Sequence, residues 1–181
     1  MGHRDWVLTQ PAVPRVLILR EVFSIISKTV EQTKVIYGNL MLPEHANIAG
    51  NVHGGEVMKM MDNAGGVVAR RHSRTNVVTA RVDGLEFHYP IHVGNYVMCV
   101  CEMNFVGNSS MEVMVKVMVE DLCCEGEPKV ALTGYFTYVA IDGNGKAMTV
   151  PTLKLVTDEQ IKSNNEGRER YLRYKNSRDT N

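Results

Sequence analysis

The chain has 181 residues, 44% of them hydrophobic, with 20 Lys plus Arg balanced by 20 Asp plus Glu. That predicts one soluble globular domain with terminal extensions, and it excludes binding to nucleic acid or a membrane surface driven by net charge. A net charge near zero favours self-association where apolar patches are exposed.

Residues 16–26 (VLILREVFSII) are apolar, but Arg20 and Glu21 interrupt them. This is a poor signal-peptide core and too short to span a bilayer. Residues 1–31 are read as an N-terminal extension, partly helical and packed through its Val, Leu, Ile and Phe side chains. An organelle-targeting segment is the alternative, with Asp5 and Glu21 against it. As a DNA-binding element it is too weakly basic, its main central cations being Arg15, Arg20 and Lys28.

Residues 32–153 form the expected main domain. Residues 33–42 (TKVIYGNLML) read as a first strand stopped by Pro43, followed by the loop EHANIAGNVHGG. A helix is predicted from about Gly55 to His72, and four strands follow at 76–88, 96–106, 109–121 and 129–141. In the first of these, Val78, Ala80 and Val82 alternate with Thr79, Arg81 and Asp83. In the second, Val97, Cys99, Cys101, Met103 and Phe105 share a face. The third turns Met111, Val113, Val115, Val117 and Val119 inward and Glu112, Lys116 and Glu120 to water. The fourth presents Val130, Leu132, Phe136 and Tyr138 on one side. Such alternation belongs to an antiparallel sheet with one covered face, and the one strong central helix must cover it. The expected class is α+β.

The tail, 154–181, opens on Thr157-Asp158-Glu159-Gln160, a capping-box pattern that starts a helix. Arg168, Arg170, Arg173, Lys175 and Arg178 follow. They form either a solvated face or a basic surface for phosphates. The four cysteines, Cys99, Cys101, Cys123 and Cys124, make no C-x-x-C pair and read as reduced thiols of a cytosolic protein.

At about 100° per residue, Val57, Met61, Ala64 and Val68 make one stripe of the helix, and Lys59, Asn63 and Arg70 face away. Asp62 lies between the two zones, beside Gly65, Gly66 and Ala69. Two glycines inside a helix cost about 1 kcal/mol each relative to Ala, so something must approach this strip closely. At the helix start, Gly50-Asn51-Val52-His53-Gly54-Gly55 leaves backbone N–H groups unshielded where the helix dipole is positive. A substrate carbonyl could be polarised there as it becomes an oxyanion. A structural turn explains the same residues.

ANIAGNVHGGEVMKMMDNAGG (46–66) resembles the helix-start motif of hotdog acyl-CoA thioesterases, in the group of brain acyl-CoA hydrolase and bacterial single-hotdog proteins. VVTARVDGLEFHYPIHVGN (77–95), VGNSSMEV (106–113), GYFTYVAID (134–142) and EGRERYL (166–172) are similar to later segments of that family, in the same order. The resemblance implies a sheet wrapped round a central helix and dimers joined edge to edge. Trimers of dimers with active sites at the dimer interface are implied too. The family's catalytic acid falls on Asp62 and its helix-start asparagine on Asn51.

The expected activity is hydrolysis of fatty acyl-CoA to free acid and CoA in the cytoplasm, with no cofactor, CoA being substrate and product. Asp62 acts as general base or as a covalent nucleophile, alternatives the residues leave open. Gly54 and Gly55 donate to the oxyanion, and Asn51 orients the water or carbonyl. Asp62 lies seven residues past Gly55, about 10 Å along the axis, so Asn51, Gly54 and Gly55 of one chain are expected to face Asp62 of another. Candidate CoA contacts are Arg81, Asn108, Ser109, Ser110 and Arg168. His53, His88 and His92 read as structural. The rival readings are a hotdog hydratase using His53 and a non-catalytic acyl-CoA sensor.

Overall fold

The computed structural model describes residues 27–179, with side chains as far as Ser177. Most of the expected helical extension at 1–31, and the Arg178 side chain, lie outside the described residues. The part of that extension that is described is extended instead: Lys28–Thr29 (β1) runs parallel to Leu153–Lys154 (β7). Lys28 Nζ donates to the carbonyls of Arg71 and His72, closing the C-terminus of the central helix.

Five antiparallel strands make the main sheet. They are Val35–Leu40 (β2), Asn76–Phe87 (β3), Tyr96–Val106 (β4), Ser110–Glu120 (β5) and Lys129–Ile141 (β6), in the order β2-β4-β5-β6-β3. The central helix, Gly54–Ser73 (α1), joins the two edge strands and therefore crosses the inner face of the sheet. Its stripe of Val57, Met61, Ala64 and Val68 is buried against Cys99, Cys101, Val113, Val115, Leu132 and Phe136. This is the α+β arrangement the sequence leads one to expect, with the boundaries of these five strands within two residues of their predicted places, while β1 and β7 were not predicted.

The main sheet has four register shifts, at Thr79/Arg81, Asp83/Glu86, Met103/Phe105 and Val117/Met118, and the first and third redirect side chains that the sequence reading placed. In β3 the register passes from Thr79↔Tyr138 to Arg81↔Thr137, leaving Ala80 as an extra residue. In β4 it passes from Met103↔Val113 to Phe105↔Glu112, leaving Asn104 extra. A bulge flips the alternation beyond it. Thr79 therefore faces α1 while Arg81 and Asp83 face the opposite side, contrary to the unbroken alternation expected. Phe105 likewise leaves the face it was expected to share with Met103.

The outer face is covered as well. The C-terminal helix, Asp158–Asp179 (α2), lies on it, started by Thr157, whose Oγ1 accepts from the Gln160 N–H at 3.2 Å. Few apolar side chains hold it. Tyr171 packs on Phe105 with ring centroids 5.4 Å apart, and the Asn164 amide donates to the Asn104 carbonyl. At Gly167 the helix comes so close that a Cβ would lie 2.7 Å from Glu112 Oε1 and 2.8 Å from Phe105 Cβ.

Glu112 consequently does not face water. It is 4% exposed and accepts from Asn104 Nδ2 at 2.6 Å and from Arg170 at 2.8 and 3.0 Å. The Arg170 guanidinium also lies 3.8 Å from the centroid of the Tyr135 ring. Arg170 thus belongs to the packing of α2 and not to a basic surface. Removing one partner of a buried ion pair strands the other, so Glu112→Ala should lower unfolding free energy by about 3 kcal/mol in a urea titration.

Candidate active site

The start of α1 is built by its flanking loop. His53 caps the helix, its Nδ1 accepting from the Gly55 N–H at 2.9 Å. Just before it, Asn47 Oδ1 accepts from the N–H groups of Ala49 and Asn51, and the Asn47 N–H donates to the Asn51 carbonyl. This tight loop and the turn after β3 enclose a cleft of about 440 Å³ lined by Asn47, Asn51, Gly54, Val57, Phe87 and Ile91, among others. Asn51 and Gly54 therefore meet where the sequence reading places them. The Gly55 N–H is engaged by His53, which gives His53 a structural part.

Asp62 stands elsewhere in the protomer, two turns along α1 and half-buried. Thr79 Oγ1 donates to its Oδ1 at 2.6 Å, and the Tyr138 hydroxyl lies 3.3 Å from the same oxygen. Among the described residues no donor reaches Oδ2. The carboxylate is thus held by one oxygen and presents the other. Burial and the nearby Asp62 carboxylate push the Tyr138 phenol well above its usual range, so it stays a protonated donor at neutral pH. Asp62 does not line the cleft at the helix start, and within one protomer the two halves of the expected site are apart.

Thr79 and Tyr138 are partners of Asp62 that sequence reasoning missed. Tyr138 was placed correctly on the inner face of β6, but as core. Thr79 was grouped with Arg81 because the alternation was carried through Ala80. Asn47, which the sequence reading did not single out, shares its loop hydrogen bonds with Asn51.

The proposed CoA contacts are dispersed. Arg81 pairs with Asp83 at 2.6 Å and lies 4.1 Å from the Tyr174 ring centroid. With Ser110 it borders a crevice of only about 20 Å³ beneath α2. The Ser109 and Asn108 carbonyls accept from Ala140 and Val150, and Arg168 is exposed. Burial pushes the Cys99 thiol up to about 12 and raises Cys101, so neither is a thiolate nucleophile at neutral pH. His72 is buried too, its Nε2 2.7 Å from the Pro151 carbonyl, and burial lowers its pKa, which keeps it neutral.

A five-stranded antiparallel sheet with one helix across its inner face, that helix carrying a carboxylate held by two hydroxyls, defines a hotdog-fold protein. A sequence profile of the thioesterase superfamily matches residues 49–124. The chain is 36% identical over 146 residues to the uncharacterized acyl-CoA thioester hydrolase YkhA of Bacillus subtilis, covering 81% of this chain and 84% of that one. It is also 36% identical over 162 residues to the cytosolic acyl coenzyme A thioester hydrolase of Mus musculus, covering 89% of this chain and 42% of that protein. It spans about two-fifths of the length of that mouse protein and of its rat and human counterparts. Among solved structures, a hexameric acyl-CoA thioesterase superposes with a TM-score of 0.79 at 30% identity, over 84% of this chain and 97% of that one. An acyl-CoA hydrolase from Staphylococcus aureus, solved with butyryl coenzyme A, gives 0.77 at 28%, over 84% and 93%. The chain belongs to the hotdog-fold acyl-CoA thioester hydrolase family.

Proposed function

We propose that the protein hydrolyses the thioester of fatty acyl-CoA, with Asp62 as general base. Asp62 Oδ2 takes a proton from water, the water oxygen bonds to the thioester carbon, and the C–S bond breaks to release CoA thiolate. Thiolate is a good leaving group, so no strong general acid is needed, and nothing in the step requires a metal or cofactor. The Oδ1-anchored, Oδ2-free carboxylate is the observation that carries this reading. The Gly54 N–H, at the positive end of α1, is placed to polarise the carbonyl. Gly55 was expected to share that duty, but its N–H is bound by His53. That same bond sets His53 in the helix cap, which counts against its use as a hydratase base.

The helix-start asparagine needs a choice. The S. aureus hydrolase has been solved with alanine in place of an asparagine, an aspartate and a threonine, spaced 15 and 17 residues apart. In this chain Asn47, Asp62 and Thr79 have those spacings, and Asn51 does not. The spacing favours Asn47 as the residue that orients water or carbonyl, with Asn51 shaping the loop. Asn47→Ala should lower kcat about 100-fold in an assay of CoA release, and Asn51→Ala less than about 10-fold. The reverse order would restore Asn51 to the role.

The assembly we infer joins two protomers through β3. This is an edge strand whose Val78, Val82 and Phe87 are 46%, 37% and 50% exposed. Unpaired edges of this kind recruit another strand, and a two-fold axis pairs like with like. Asp62 is tied to Thr79 near one end of β3, and Gly54 sits against Phe87 at the other, where an added Cβ would come within 3.2 Å of the ring. Antiparallel pairing about Asp83 sets Thr79 of one chain opposite Phe87 of the next. That brings Asp62 beside the partner's cleft. Further assembly into a trimer of dimers is in keeping with the hexameric relatives. Arg168 and the turn at Asn108 and Ser109 remain the candidates for CoA phosphates. The name of the mouse, rat and human relatives supports a cytoplasmic location; the organelle alternative rests on residues outside those described.

Free CoA released from acyl-CoAs of graded chain length, trapped by a thiol reagent, tests the activity. Binding without release would leave the sensor. Absorbance change of an enoyl-CoA without thiol release would favour the hydratase.

A further inference from the structure

The glycine strip beside Asp62 is unexplained by hydrolysis alone. The sequence leads one to expect a helix or ligand lying against it. The structure fills it from within: a Cβ at Gly65 would lie 2.6 Å from the Tyr138 hydroxyl and 3.3 Å from its ring. That hydroxyl sits 2.9 Å from the Asp62 main-chain carbonyl and 3.3 Å from Asp62 Oδ1. It has one hydrogen and is shared between the two oxygens. Tyr138 is 2% exposed and stacks near Phe136, with ring centroids 6.4 Å apart, so its position is set by the core of the sheet.

From this geometry we infer that Tyr138 is a positioning residue for the reaction, with Gly65 as the opening that admits its hydroxyl to Asp62. The inference rests on the reading of Asp62 as the base. Thr79 and Tyr138 approach Oδ1 from two different strands of the sheet, β3 and β6. One hydroxyl alone would let the carboxylate turn about its bond to the helix. Two, from separate strands, fix the plane in which Oδ2 meets water. The shorter of the two Tyr138 contacts, 2.9 Å to the helix carbonyl, ties the backbone of Asp62 to the sheet at the same point. An interior helical glycine that weakens α1 thereby gains a reason: the space is needed for the phenol oxygen. A misplacement of about 1 Å in a reacting group costs up to about 100-fold in rate, so the second hydroxyl should be visible kinetically.

The test compares wild type, Tyr138→Phe, Gly65→Ala, Thr79→Ala and the Tyr138→Phe/Thr79→Ala pair, using acyl-CoA and a thiol reagent. Urea midpoints are measured in parallel. Tyr138→Phe keeps the ring and should lower kcat by about 10-fold or more with KM changed less than about 2-fold. Gly65→Ala should do likewise by displacing the hydroxyl. The pair should fall short of the product of the single losses, because both hydroxyls hold the same oxygen. A kcat for Tyr138→Phe within about 2-fold of wild type would overturn the inference. So would losses that multiply independently, or a kcat that recovers when urea midpoints are matched by lowering the temperature. Asp62→Ala is the control. If it is inactive while Tyr138→Phe is unimpaired, only the positioning role fails. If Asp62→Ala itself turns over normally, the reading beneath it fails instead.

Discussion

Asp62→Asn should fold, assemble and bind acyl-CoA, yet release CoA about 100- to 10,000-fold more slowly, the range expected when a general base is removed. The substitution is nearly isosteric. The amide oxygen can still accept from Thr79, which lies 2.6 Å from Oδ1, and from Tyr138. The nitrogen takes the place of Oδ2, the oxygen to which no described group donates. An amide nitrogen there cannot accept a proton from water, so chemistry stops while geometry persists. Loss should appear in kcat with KM little altered, since the acyl chain and CoA are held elsewhere. The urea midpoint should stay close to wild type because the hydroxyl network around Oδ1 is kept. Steady-state thiol release with both variants at equal concentration decides it. An Asp62→Asn protein within about 3-fold of wild type would place the base on another group.

Much of this site could be read from residue order, and the part that could not has a physical reason. The angle of Asp62 on the helix, beside small residues, can be computed from periodicity alone, and the structure keeps that angle. The alternating strands are legible because one face is apolar over long runs, as at Val113, Val115 and Val117. What periodicity cannot show is where it breaks. A bulge is one extra residue with no marker in the sequence here: Ala80 and Asn104 look like ordinary members of their strands. Yet the bulge at Ala80 is what turns Thr79 to Asp62 and Arg81 to the outer face. Glu112 failed for a related reason. A glutamate in an alternating strand reads as solvated, and only the docking of α2 at Gly167, distant in sequence, buries it with Arg170. Tyr138 was visible as apolar bulk on the inner face, while its hydroxyl, the part that acts, carries no periodic signal.

The separation of Asp62 from the cleft at the helix start predicts complementation between impaired chains. Asp62→Ala and Asn47→Ala should each keep about 1% of wild-type activity or less alone, one lacking the base and the other the orienting amide. If β3 pairs with β3 of a second copy, a dimer holding one chain of each kind has two unlike sites. One combines intact Asp62 with intact Asn47 from opposite chains; the other lacks both. Co-expression in equal amounts gives half mixed dimers with half their sites competent, so about a quarter of wild-type activity should return. Sites contained within one chain give no such recovery, since every chain in the mixture carries a defect. Separate affinity tags on the two chains allow the mixed species to be isolated, where recovery should rise to about half. A charged residue at the edge tests the geometry behind this. Val82→Lys, at the centre of the exposed strand, sets like charges near the two-fold axis and should yield monomers by sedimentation. Those monomers should retain secondary structure, because the core behind β3 is untouched, and should release no CoA, because each holds a carboxylate without a facing cleft. An active monomer, or mixed dimers as dead as their parents, would put the whole site within one chain.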